Sequence, residues 1–167
     1  MGEREKEEMS KTRVIVIKDE QNQGKTTTMW LLIKALEKNN GKIETLYDLN
    51  NDRPMTMPAT IKSRGFLVDF HASVRWNGKF IVLNSRGDYE DKLVHDTTWA
   101  LNEIQPDYLV CAVRWDKENN KYWNAFNQVC PNTQYDRVCF WSEKTDDAKT
   151  NLQAKQATVE AIMKYMS

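Results

Sequence analysis

The sequence predicts a three-layer α/β domain, with a mostly parallel sheet, one antiparallel hairpin strand at or near an edge, and helices on both faces. Three observations predict it. Short β-branched runs such as Val14-Ile15-Val16-Ile17, Phe80-Ile81-Val82-Leu83 and the DYLVCAV stretch at 107–113 read as strands covered on both faces. Between them lie stretches with apolar residues at helical spacing, beginning with Met29, Trp30, Leu32, Ile33 and Leu36. This alternation favours a parallel sheet. Asn77-Gly78, set between two apolar runs, is a hairpin signal, because both residues tolerate positive φ.

The chain has 167 residues, which suits one domain with a real core. Lysine plus arginine balance aspartate plus glutamate, 24 against 24, so no general nucleic-acid binding is expected. No apolar run approaches the roughly 20 residues that cross a bilayer, and no membrane partner is expected. Residues 1–11 are charged, lack the apolar centre of a signal peptide, and read as a flexible solvated tail ahead of a domain at 12–167. Cys111, Cys130 and Cys139 are odd in number and widely spaced, which supports neither a zinc site nor a disulfide framework. A cytoplasmic location is the simplest expectation.

Taken in order, the first strand leads through a polar loop to a helix that opens on Gly24-Lys25-Thr26 and stops over residues 37–41, at Lys38-Asn39-Asn40-Gly41. A second strand follows at Lys42–Asp48. The irregular stretch 49–65 holds Pro54, Pro58, Arg53, Lys62 and Arg64, and reads either as a lid or binding loop or as a surface loop without a role. Residues 66–74 and 79–84 form the hairpin. Asp69 and His71 fall on one face of its first strand, and His71 reads as an outward polar residue of an edge strand. The next helix, 89–104, buries Leu93, Ala100, Leu101 and Ile104 and ends before Pro106. A buried strand at 107–113 leads to Arg114, and a third helix, 120–130, turns Tyr122, Trp123, Phe126, Val129 and Cys130 inward. A last buried strand at 137–142 precedes a closing helix within 143–166, whose expected core stripe is Ala148, Leu152, Val159, Ile162, Met163 and Met166.

The Gly24-Lys25-Thr26 junction carries the chemistry. Glycine lets the backbone approach an anion closely, and the helix start offers unpaired N–H groups with a favourable dipole. Residues 19–26, Asp-Glu-Gln-Asn-Gln-Gly-Lys-Thr, resemble the Walker A loop GxxxxGK[ST] of the P-loop NTPases, with Asp19 standing where the pattern has glycine. The resemblance implies a phosphate cradle formed by Gln21, Asn22, Gln23, Gly24, Lys25, Thr26 and Thr27. In it Lys25 would reach the β- and γ-phosphates and the Thr26 hydroxyl would hold Mg²⁺.

A second site follows the buried run Phe80-Ile81-Val82-Leu83. Asn84-Ser85-Arg86-Gly87 resembles the Asp-x-x-Gly of switch GTPases and ParA/MinD-like ATPases, with Asn84 in the position of the Asp. The resemblance implies that Gly87 offers its N–H to a terminal phosphate. Asp88, or Asp48 at its strand end, would serve the metal indirectly. Arg86 and Arg114 would stabilise charge. The bland alternatives are a polar turn with Asp88 as a helix cap, and an Arg114–Asp116 surface pair. Glu143-Lys144-Thr145-Asp146 matches the guanine-reading Asn-Lys-x-Asp only in part. A helix entry capped by Asp146 or Asp147 is the preferred reading, with ATP the default nucleotide and GTP the alternative.

The expected function is binding of a nucleoside triphosphate with Mg²⁺, followed by hydrolysis or phosphate transfer. The chain would act as an ATPase or GTPase with a protein partner, or as a kinase with a small-molecule acceptor. The alternative is a non-catalytic nucleotide-binding module acting through a protein partner. The Asp19 and Asn84 departures suit that reading, since an amide lacks the charge a carboxylate brings to Mg²⁺.

Overall fold

The computed structural model describes residues 10–19, 25–58, 67–87, 89–116, 118, 120–141 and 147–167. The strands are β1 (Arg13–Asp19), β2 (Lys42–Asp48), β3 (Arg53–Pro54), β4 (Phe70–Trp76), β5 (Lys79–Asn84), β6 (Tyr108–Arg114) and β7 (Asp136–Trp141). The helices are α1 (Lys25–Lys38), α2 (Glu90–Trp99), α3 (Lys121–Val129) and α4 (Ala148–Met166). A π-wound turn, Ala100–Ile104, continues α2 and ends on Gln105 in the left-handed region, φ 54°. The sheet order is β3-β2-β4-β5-β6-β1-β7.

Strands β5, β6, β1 and β7 run parallel, as the buried apolar runs predict. Strand β4 is antiparallel to both β2 and β5, and β3 to β2. The hairpin turn falls on Asn77 (φ 51°) and Gly78 (φ 74°), the pair of positive φ values that a primed turn needs. Two expectations change here. The antiparallel hairpin strand is internal rather than near an edge, and β7 is an edge strand with Cys139 and Trp141 exposed rather than a buried one.

Alternation along β1 divides the core. Ile15 and Ile17 pack under α1 and α4 with Trp30, Ile33, Val159 and Ile162. Val14 and Val16 face the other layer, with Leu93 of α2, Leu101, and Tyr122 and Phe126 of α3. In α4 the buried stripe is Asn151, Lys155, Val159, Ile162 and Met166, so its first half turns polar residues inward while Leu152, expected there, is half-buried; the Ala148 side chain lies outside the described residues. Lys155 is fully buried and engaged by a partner, as a charge removed from water must be.

The connections from the neighbours β1 and β6 leave on opposite faces, through α1 and α3, so the sheet has a topological switch point between their carboxyl ends. The C-terminal ends of β1, β2, β5, β6 and β7, the start of β4 and the start of α1 all share that edge.

Helix α1 is fixed to the sheet by Trp30. Its indole is fully buried, its ring centroid lies 4.1 Å from that of Phe70, and its Nε1–H donates to the Val68 carbonyl at 3.0 Å. Trp30→Phe removes the hydrogen bond and part of the packing. It is expected to lower unfolding free energy by about 2 kcal/mol in urea titration.

Candidate functional site

Helix α1 opens on Lys25, with no acidic residue in its first turn. This reverses the usual charge preference at a helix N-terminus, where cations are disfavoured and anions are stabilised. Lys25 is only 4% exposed and is engaged by a partner. Thr27 and Thr28 are buried behind it. The expected cradle residues Gln21, Asn22, Gln23 and Gly24 lie outside the described residues, as do Asp88 and the Glu143–Asp146 stretch with its guanine-reading resemblance.

The carboxylate that meets Thr26 is Asp69. The Thr26 hydroxyl donates to Asp69 Oδ1 at 3.1 Å, and the Ser85 hydroxyl donates to the same oxygen at 3.2 Å. The backbone of Asp69 is held on both sides, its N–H by Asn50 Oδ1 and its carbonyl by the Leu49 N–H at 2.9 Å. Asp69 therefore precedes β4 at the sheet edge rather than lying within a strand beside His71. No sequence motif marks this role. The signal available was a carboxylate at the start of a strand that returns to the loop edge.

Asp48, expected as an indirect metal partner, caps its own turn. Oδ1 accepts from the N–H groups of Asn50 (2.9 Å) and Asn51 (3.0 Å), and Oδ2 accepts from Asn51 Nδ2 (2.8 Å). Those bonds, the Asn51 side chain foremost, hold its carboxyl below the usual carboxylate range, with the Arg53 charge adding to them. The turn presents Asn50 to Asp69, so Asp48 acts on the site through Asn50.

The second motif divides between the two faces of the sheet. Ser85 turns toward Asp69, while Asn84 is buried on the opposite face, its Oδ1 against His71 Nδ1 and its Nδ2 donating to the Asp96 carbonyl at 3.3 Å. Strand β6 lies between β5 and β1, so β5 ends two strands, roughly 10 Å, from the end of β1. Arg86 is committed to Asp96, with Nη2 lying 3.0 Å from both carboxylate oxygens. Arg114 donates to Asp116 at 2.7 Å and stacks on Tyr122, which is the surface-pair alternative. Gly87 packs against β6, and a Cβ there would lie 2.1 Å from the Ala112 carbonyl oxygen. This close approach gives the glycine a structural reason of its own. Asp147 caps α4, accepting from the Thr150 N–H at 2.8 Å, as one of the two capping alternatives had it.

A small cavity of about 140 Å³ adjoins Asp69, with Asn50, Arg86 and Lys92 among its walls. Oxygen donors from Thr26, Ser85 and one carboxylate are a set that suits Mg²⁺, which keeps several waters and needs few protein ligands. Among the described residues no cluster of three or more His, Cys, Asp or Glu side chains forms a metal cage.

Gly87→Ala is expected to cost about 2 kcal/mol or more in unfolding experiments without any nucleotide, because the new methyl meets backbone. For Asp48 the folded pKa lies below the unfolded one, so its contribution is complete above the ordinary carboxylate value and fades as pH falls through the lowered value. The stability difference between wild type and Asp48→Ala should therefore shrink as urea titrations move from about pH 6 to about pH 3.

Compared with protein-family models, with curated proteins and with solved structures, the chain gives no match.

Proposed function

We propose that the protein binds a nucleoside triphosphate, ATP by default, with Mg²⁺ at the start of α1, and hydrolyses or transfers its terminal phosphate. The observation that carries the reading is the Thr26–Asp69 hydrogen bond beside a buried lysine, on a helix start with no acid of its own. The likeness of residues 19–26 to the Walker A loop supports it.

In this reading the first-turn N–H groups of α1 and the Lys25 ammonium receive the outer phosphates. Thr26 and Asp69 hold Mg²⁺, which when bound would draw negative charge off the outer phosphate oxygens. Ser85 and the Asn50 turn keep the Asp69 carboxylate aimed at Thr26. Catalysis of this kind is positioning and charge neutralisation.

A second reading, nucleotide binding without turnover and with a protein partner, is favoured by the commitments of Arg86 to Asp96 and Arg114 to Asp116. Both charge stabilisers would have to leave carboxylates to reach a phosphate.

Calorimetric titration with ATP and with GTP, each with Mg²⁺, tests binding. Saturable binding of one nucleotide is expected. Lys25→Ala should weaken it about a hundredfold, and Asp69→Asn about tenfold with Mg²⁺ but little without it. No binding of either nucleotide at millimolar concentration overturns the proposal. Binding without phosphate release, in a colorimetric assay with Mg²⁺, selects the second reading.

A further inference from the structure

On the face of the sheet away from α1, a cavity of about 630 Å³ opens over β2, β4 and β5, walled by α2 and the π-wound turn. Its size falls in the range of small-molecule sites, and most of its lining is apolar, as theirs is. Tyr47, Phe80, Trp99 and Ile104 supply flat and aliphatic walls. Trp99 is 43% exposed, and its ring lies 5.0 Å from the His71 ring. The turn that follows Trp99 is π-wound, a distortion that recurs at functional sites.

The polar groups are arranged in a definite sense. Asn84 Nδ2 donates to the Asp96 carbonyl, which leaves Asn84 Oδ1 facing His71. An acceptor there requires His71 Nδ1 to carry the proton. With Nδ1 on the buried amide, Nε2 is the ring nitrogen left to the cavity, and in the Nδ1–H tautomer it is an acceptor held in a fixed direction. Arg86 and Asp96 neutralise each other in the wall, so this pair adds no net charge to the cavity. His95, at the rim, has a side chain that is 76% exposed. His71 is therefore not an outward residue of an edge strand. It is half-buried on an internal strand, with one nitrogen used by the protein.

We infer that this cavity is a binding site for a neutral, planar heteroaromatic molecule that stacks on Trp99 and donates an N–H hydrogen bond to His71 Nε2. Flat apolar walls select the ring. The internal ion pair selects against a charged body. The fixed acceptor selects a donor, because a donor-less analogue leaves a desolvated lone pair unmatched. The inference does not depend on the phosphate site, which lies on the α1 side of the sheet edge.

Indole and 1-methylindole are matched probes, alike in shape and differing in the N–H donor. Each would be titrated into the full chain and followed by ¹H–¹⁵N NMR, with the Trp99 indole signal assigned through Trp99→Phe. Saturable shifts are expected at Trp99 and His71, with indole binding about tenfold tighter than 1-methylindole. His71→Phe should abolish that preference while still binding both rings. Trp99→Ala, at an exposed position, should weaken both probes and provides the test if the histidine variant fails to fold. Equal affinity of the two probes for the wild type overturns the inference. So do shifts scattered over other surfaces, unchanged affinity in Trp99→Ala, or self-association that covers Trp99 and is not displaced by indole.

Discussion

One carboxylate ties together the start of α1, the end of β5 and the turn after β2. Asp69 takes the Thr26 hydroxyl at the start of α1 and the Ser85 hydroxyl at the end of β5, while its backbone is clamped by Leu49 and Asn50. Hydrogen bonds to an ionised carboxylate are stronger than neutral ones, so each contact restrains its partner. The clamp depends in turn on Asp48, which folds the turn that presents Asn50. A polar relay thus runs from the end of β2 to the first turn of α1. Trp30 supplies the apolar half of the same junction by packing on Phe70 and bonding to Val68.

The charges along this edge are largely tied up. Arg86 pairs with Asp96, and Arg114 with Asp116. Lys18 sits 4.6–5.6 Å from the ring centres of Trp123, Trp141 and Trp115, where the ring quadrupoles attract it. The first turn of α1 carries a lysine and no acid, and that lysine is engaged by a partner as well. The phosphate reading proposed above rests instead on the helix start itself, whose N–H groups and dipole favour an anion.

The two faces of the antiparallel extension have different occupants. On one, α1 covers Phe70, Ala72 and Val74. On the other, His71, Ser73 and Asn84 face a cavity beside α2. Because side chains alternate along a strand, β4 serves a packed layer and a polar, open one at the same time.

The sequence by itself determined the local elements. The β-branched runs became the parallel strands, Asn77-Gly78 became the turn of the hairpin, and apolar spacing placed α1, α3, and α2 taken with its π-wound continuation, to within a residue or two. These features were legible because period and φ preference act over a few residues. Only the tertiary structure decided the order of the strands, with β6 between β5 and β1, and β4 internal rather than at an edge. It also decided that Asp69, 43 residues from Thr26 in the chain, is the carboxylate at the helix start, that Arg86 belongs to Asp96, and that Asn84 faces His71. In α4 it turned Asn151 and Lys155 inward, against the apolar stripe. Such choices depend on which distant groups the strand order brings together and which face each side chain takes, and no local pattern encodes either.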